Sequence, residues 1–337
     1  MRKTIPPTPT LPRFPGSPPN RGGGGADFVG WEGGGGSRGT LRLGTRGSRL
    51  ALVQSQLVAD RLRALGHRVE LVTVVTEGDR RPVDLAPGIG VFVTALEQAL
   101  AAGAVDLAVH SAKDVPLEVR EGLVVAAFPA PREDPRDVLI TAAGGATLDG
   151  LPPGASFGTD SPRRAGFVLH RRPDLRHRPL HGNVDTRLRR LDAGEVDALV
   201  LAAAGVDRLG AAGRVDQRLE PELVAPAPGQ GALAVQCRSD DVDVVAALAA
   251  LDDPALRLAV LTERHVLTAT GGSCRAPVGA LAGVTAGRLH LLAAAAAPDG
   301  SERCVVCLEG APTEAAGRDL AERAGGELMK KVVNLVD

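Results

Sequence analysis

The sequence predicts an α/β protein built as two hinged lobes with a small α+β domain behind them. Three observations predict it. Strand-like apolar runs and amphipathic helical runs alternate twice, over 41–128 and again over 137–202. Two Pro-rich connections, Pro129–Pro135 and Pro226–Gly231, bracket the second run as hinges would. From about Asp253 the pattern changes to helix, three strands and helix.

Taken in order, 41–45 reads as a strand and Ser48 as the N-cap of a helix that Gly66 stops. A strand over 69–75 follows, then a loop, then Gly88-Ile-Gly-Val-Phe92 leading into a helix that ends near Gly103. A short buried strand over 105–110 completes β-α-β-α-β, which implies a mostly parallel sheet. Another strand lies at 123–128. The second lobe reads as strands 137–141, 155–159, 176–181 and 197–202, with helices 161–172 and 184–193. A helix follows at about 241–250, then a helix over 254–269, strands 278–284, 288–296 and 303–309, and a helix from 313. The expected division is 40–131 with 232–252, then 132–231, then 253–337.

Composition bounds the function. Apolar residues make up 44%, enough for real cores, but aromatics are 2% and tyrosine is absent, so Ala, Val and Leu do the packing. A net charge of −1 argues against a general grip on nucleic acid or an anionic membrane. No apolar run reaches membrane-spanning length. Residues 1–39, rich in Gly and Pro, bury too little apolar surface to order themselves and read as a disordered extension. They lack the apolar centre of a secretory signal, so cytoplasm is the expected compartment. Four cysteines in this length make no disulfide framework. Cys304 and Cys307 form a C-x-x-C inside a strand pattern, where the two thiols face opposite sides; no metal is expected.

The polar groups that stand out lie at strand ends. His110, Ser111, Lys113 and Asp114 follow one strand, and Pro116 bars a helix there. Three of the four lysines (Lys3, Lys330, Lys331) lie near the termini, which leaves Lys113 alone in the body of the chain. Ser161-Pro-Arg-Arg164 puts two arginines in the first turn of a helix, against the helix dipole. An anion accepting both the helix N-terminus and the guanidinium forks would resolve that conflict. Arg46 and Arg187 also follow strands, and such a set suits a ligand with many carboxylates; solvated surface cations are the plain alternative. Cys274 sits in the Gly-rich loop 271–275, a placement more typical of a reactive thiol than of a packed one.

Seven motifs occur in order: His110-Ser-Ala-Lys-Asp-Val-Pro116, Arg132-Glu-Asp-Pro-Arg-Asp137, Gly158-Thr-Asp-Ser-Pro-Arg-Arg164, Gly182-Asn-Val-Asp-Thr-Arg-Leu188, Ala203-Ala-Gly-Val-Asp-Arg-Leu-Gly210, Pro228-Gly-Gln-Gly231 and the Cys274 loop. Over about 40–335 the chain resembles the porphobilinogen deaminase family, whose activity is also called hydroxymethylbilane synthase. The resemblance implies two periplasmic-binding-protein-like lobes with hinge crossings plus a small α+β third domain. It implies a monomeric transferase of tetrapyrrole biosynthesis that joins four porphobilinogen molecules head to tail, releasing ammonia at each step. It also implies a dipyrromethane cofactor, built from substrate and held by a thioether to Cys274.

By resemblance, Asp114 accepts hydrogen bonds from pyrrole N–H groups as positive charge builds there. Arg46, Lys113, Arg163, Arg164, Arg187 and Arg208 meet the acetates and propionates. Ser48, Ser111, Thr159, Ser161 and Gln230 add hydrogen bonds, and Phe92 is the lid aromatic. His181 stands where the family usually has Arg, and Asp160 where it usually has Ser. Histidine cannot make a bidentate carboxylate fork and is neutral in alkaline solution. The replacement therefore predicts weakened turnover, worse at alkaline pH. The alternatives are a silent paralogue, suggested by His181 and Asp160, and a two-lobe solute-binding protein, which would leave Cys274 and the third domain unexplained.

Overall fold

The computed structural model describes residues 39–74, 91–272 and 276–332. The first lobe holds β1 (Leu41–Thr45), α1 (Arg49–Ala64), β2 (Val69–Thr73), α2 (Val91–Ala101), β3 (Leu107–Ser111) and β4 (Leu123–Ala127). The second holds β5 (Asp137–Thr141), β6 (Ser156–Gly158), α3 (Pro162–Arg171), β7 (Arg176–Arg178), α4 (Val184–Asp192), β8 (Ala198–Ala202), α5 (Ala203–Arg208) and β9 (Gln217–Leu219). The remainder holds β10 (Leu233–Arg238), α6 (Val242–Ala249), α7 (Pro254–Ala269), β11 (Val278–Thr285), β12 (Arg288–Ala296), β13 (Arg303–Gly310) and α8 (Glu314–Lys331). The expected disorder of 1–39 concerns residues that, but for Gly39, lie outside the described residues, as do the Gly-x-Gly at 88–90 and the Phe92 side chain.

Each lobe carries one five-stranded sheet, ordered β2-β1-β3-β10-β4 and β7-β6-β8-β5-β9. The expectation of a mostly parallel sheet needs correction. β1 pairs parallel with β2 and β3, but β10 runs antiparallel between β3 and β4. The second lobe repeats the plan: β6 is parallel to β7 and β8, and β5 is antiparallel to β8 and β9. A parallel trio still brings three strand ends to one edge, where α/β sheets bind ligands. β3 also starts later than the pattern suggested. Asp106 precedes it and ties back to Arg42, whose Nε and Nη2 donate at 3.1 and 2.7 Å.

Local chemistry accounts for the helices. Ser48, Ser161, Asp253 and Thr313 accept N-terminal backbone N–H groups through their side chains. Pro162 and Pro254 sit at the first helical positions, where a missing N–H costs nothing. α1 buries Gln54, Ser55, Val58, Ala59 and Leu62, a stripe at helical spacing.

The third sheet is antiparallel, β11-β12-β13, and α7 and α8 share its core. Lacking aromatics, this core closes by approach of small residues: Ala280, Ala282, Ala293, Ala295, Ala321 and Ala324 are buried in it. A Cβ at Gly325 would lie 2.6 Å from that of Ala269, so α8 can sit against α7 only with glycine there. Along β13, Cys304 pairs with Ala295 and Cys307 with Leu292, three residues apart and so on opposite faces.

Two crossings join the lobes, and Glu263 of α7 gathers both. Its fully buried carboxylate accepts from Arg132 Nη1 and Nη2 (2.6 and 3.0 Å), from the Gly229 N–H (2.6 Å) and from the Ala282 N–H (2.8 Å). Arg132 lies in the first crossing, which contains the cis peptide Ala130–Pro131, and Gly229 lies in the return. Gly231 has φ +89° and backs onto the Glu133 carbonyl, so the return crossing tolerates no side chain at that point.

Candidate active site

The site is built where β1, β3, β5, β6 and β7 begin or end. In lobe one, β1 delivers Arg46 and the cap Ser48, whose Oγ accepts from the Ala51 N–H at 3.4 Å. β3 delivers Ser111, then one 3-10 turn, Ala112–Asp114, that Val115-Pro116 ends. Gln54 of α1 donates from Nε2 to Ser111 Oγ at 2.9 Å. An oxygen that accepts there has its own O–H free to point elsewhere, so Gln54 prepares Ser111 as a donor.

In lobe two the center is Asp137, the fully buried first residue of β5. It accepts from Arg163 Nη1 (2.8 Å), from Arg164 Nε and Nη2 (3.0 and 2.8 Å) and from Gln230 Nε2 (2.8 Å). The dipole conflict read at Arg163 and Arg164 is thus answered by a carboxylate of the chain itself. Arg163 also donates to the Ala225 carbonyl and is 3% exposed; its guanidinium faces inward. Burial alone would raise the Asp137 carboxyl, but Arg163 and Arg164 outweigh it and hold it well below the usual carboxylate range.

Gln230 bridges the lobes. Its Oε1 accepts from Lys113 Nζ at 3.2 Å and from Arg164 Nη2 at 3.3 Å. Gly229 makes this possible: it has φ +78°, and a Cβ there would lie 3.1 Å from the Lys113 backbone nitrogen. Lys113 is half-buried, and desolvation with the Arg164 charge lowers its ammonium to about 8, against the pull of Asp114 and Asp137. Lys113 is therefore charged below about pH 8 and neutral above it. Its grip on a carboxylate should fade over that range, so KM for a carboxylate substrate should rise above pH 8. In Lys113→Arg that rise should disappear from a pH profile of kcat/KM. Identical profiles for the two proteins would assign the alkaline limb to another group.

Around the parallel pair β6 and β7 lie Thr159, Asp160, Ser161, His181 and Arg187. Thr159 is fully buried, its Oγ1 accepting from the Ser161 N–H at 3.3 Å, and Ser161 caps α3. His181 Nδ1 lies 2.8 Å from Asp160 Oδ2 but off a hydrogen-bonding line, a close electrostatic contact rather than a formed bond. Arg187 donates from Nε to the Gly182 carbonyl at 2.8 Å. Desolvation and the neighbouring Arg164 charge lower it to about 10, with Asp160 opposing, so it stays cationic at neutral pH. Arg208 donates to the Gly231 carbonyl at 2.8 Å, and its buried Nε has no hydrogen-bond partner among the described residues. Cys274 lies outside the described residues. Asp114 is exposed at the end of its turn, one residue from Lys113.

The arrangement is therefore a cation-rich edge with one exposed carboxylate, suited to holding several carboxylates near a centre of developing positive charge. Sequence reasoning missed Asp137 as partner of the two arginines, although it begins a predicted strand. It also missed Glu263, which lies on the buried stripe of α7 with Leu256, Val260 and Val266, where a lone acid among apolar residues is itself a signal. Among the described residues no group of three or more His, Cys, Asp or Glu can hold a metal ion, and no helix is long and apolar enough to cross a membrane.

Comparison with known proteins gives a consistent result. The family model described as porphobilinogen deaminase, dipyromethane cofactor binding domain, matches residues 41–246. That described as porphobilinogen deaminase, C-terminal domain, matches 257–329. The porphobilinogen deaminase of Acidothermus cellulolyticus is 47% identical over 297 residues, covering 86% of this chain and 88% of that one. That of Mycobacterium tuberculosis is 47% identical over 300 residues, covering 86% and 96%. Among solved structures, the periplasmic VFT2 domain of Bordetella pertussis BvgS is similar over 62% of this chain and 85% of that one, at 18% identity and TM-score 0.38. The fold described above rests on the strand orders alone.

Proposed function

The chain belongs to the porphobilinogen deaminase family, and from that premise we propose which of its residues carry the reaction and how. The activity is that of a transferase: porphobilinogen molecules are condensed head to tail, four to a hydroxymethylbilane, with release of ammonia. A silent paralogue and a solute-binding protein are not favoured. The proposed domains are 40–131 with 232–252, 132–231, and 253–337, and the proposed state is a cytoplasmic monomer.

The observation that carries the site assignment is the surplus of cations at one edge. On this reading Lys113, Arg46, Arg163, Arg164, Arg187 and Arg208 are set against the carboxylates of Asp114, Glu133, Asp137 and Asp160. A dipyrromethane bears an acetate and a propionate on each ring, so the donor set fits it. Arg164, Arg187, Lys113, Ser111, Thr159, Ser161 and Gln230 would hold it, with Arg163 fixing Arg164 through Asp137. The group supplies, when bound, the free pyrrole α-carbon from which the chain grows. Its proposed attachment is a thioether to Cys274.

The residues of the chain do the rest. Arg46, Ser48 and Arg208 bind the incoming substrate's carboxylates, with Phe92 as the proposed aromatic contact. Loss of ammonia from the aminomethyl group leaves an electron-poor ring, and Asp114 accepts its N–H while the charge persists. The same carboxylate can take the proton released after carbon–carbon bond formation. His181, beside Asp160, offers one N–H where arginine would offer a fork, so the proposal includes slower turnover than an arginine at 181 would give.

Intact mass of the purified protein beside Cys274→Ser tests this reading. A mass excess of two pyrrole units, lost in the variant together with ammonia release from porphobilinogen, is expected. An unmodified Cys274 in protein made with ample porphobilinogen would overturn the attachment.

A further inference from the structure

Behind the β3 edge of the site runs a buried line of polar groups that the reaction, as derived above, does not use. Glu97 of α2, Gln236 of β10 and His110 of β3 are 8%, 0% and 5% exposed. Gln236 Nε2 donates to Glu97 Oε1 at 2.9 Å, and Gln236 Oε1 lies 3.1 Å from His110 Nε2. Three polar side chains are thus sunk between α2 and the sheet.

The direction of this line follows from chemistry. A carboxylate has no proton to give, so Gln236 must turn its NH2 toward Glu97. Its carbonyl oxygen then faces His110, and an oxygen can only accept. His110 must therefore carry its proton on Nε2, which leaves Nδ1 bare. Each link leaves the next one choice, and the choice begins at Glu97.

The far end meets the site. β1 and β3 are parallel, with Leu43 opposite Leu107 and Gly44 opposite Ala108. Arg46 and His110 each follow the last of these pairs by two residues, and the Arg46 charge acts on the imidazole. We propose that Glu97 and Gln236 are positioning residues that lock His110 as the neutral Nε2–H tautomer, so that the imidazole offers Arg46 a lone pair and keeps that guanidinium oriented for a substrate carboxylate. The opposite tautomer would turn a donor toward a cation, and a protonated ring would set two cations together. Desolvation, with the Arg46 charge adding, lowers the imidazole to about 4 despite the Gln236 bond, in keeping with a ring that stays neutral.

This rests on the reading of Arg46 as a substrate-binding residue, and the test separates the two. Holoenzyme labelled with 15N-histidine is examined by two-bond 1H–15N correlation, which reports the protonated ring nitrogen regardless of turnover. The seven histidines are assigned by single substitution. In the unaltered protein His110 should be protonated at Nε2 and bare at Nδ1 from pH 6 to 9. Glu97→Gln removes the acceptor-only end, so the Nδ1–H form should appear. KM for porphobilinogen should rise about tenfold while kcat changes little, the mark of lost uniform binding. Gln236→Met, of similar volume, breaks the line at its center and serves if Glu97→Gln does not fold. An Nδ1–H form in the unaltered protein overturns the proposal, as does an altered tautomer with unchanged KM or a raised KM with an unchanged tautomer. An unaltered holoenzyme that shows the Nε2–H form yet releases no ammonia would instead count against the function.

Discussion

Asp114→Asn should lower kcat by about 10²–10³-fold while KM for porphobilinogen changes little. The change keeps size and shape and removes one negative charge. That charge has little to do in the ground state, where the pyrrole is neutral. In the proposed role it acts when ammonia has left and the ring nitrogen carries the positive charge, so its loss would fall on kcat. Asp114 suits this because a single 3-10 turn and Val115-Pro116 set it at the mouth, exposed and one residue from Lys113. Stopped-flow or fixed-time measurement of ammonia release gives the two constants. A fall in kcat of less than about fivefold would remove Asp114 from that role.

Asp137→Ala should cost about 3–5 kcal/mol of folding free energy, the scale for removing one partner of a buried ion pair. Arg163 and Arg164, 3% and 7% exposed, would be left with no carboxylate between them. Gln230 would lose one acceptor as well, keeping the Pro135 carbonyl at 2.7 Å. The same carboxylate gives a pH signature. Its folded value is held below its unfolded one, so its contribution is present above about pH 4 and is lost as pH falls toward the folded value. Urea midpoints measured from pH 7 to pH 3 should converge between the native chain and Asp137→Asn as the pH drops. Parallel curves would mean that the Asp137 carboxyl titrates alike in the folded and the unfolded chain.

The parts that were legible and the parts that were not differ in range along the chain. β1 and α1 could be read because strand alternation, the Ser48 cap and Gly66 all lie within a few residues of what they determine. The placement of Ser111 and Lys113 just past β3 could be read because the apolar strand and the Val115-Pro116 stop are both local. β10 could not, because Gln236 interrupts its apolar run, and that residue is tolerated inside only through Glu97 and His110, each more than a hundred residues away. The inward turn of Arg163 was hidden for the same reason. A helix-start arginine looks identical in sequence whether its anion is a ligand or an aspartate 26 positions earlier.

The strand order of lobe one also governs how the molecule can be assembled. β10 lies between β3 and β4, and β4 has no other strand partner among the described residues. As the chain leaves the ribosome, the first lobe therefore holds β4 apart from its sheet until Leu233–Arg238 has been made. The second lobe draws all five of its strands from Asp137–Leu219 and can close earlier. The half of the protein synthesised first is then the half that finishes second. A nascent chain halted before β10 should protect lobe two from protease while leaving lobe one open to it.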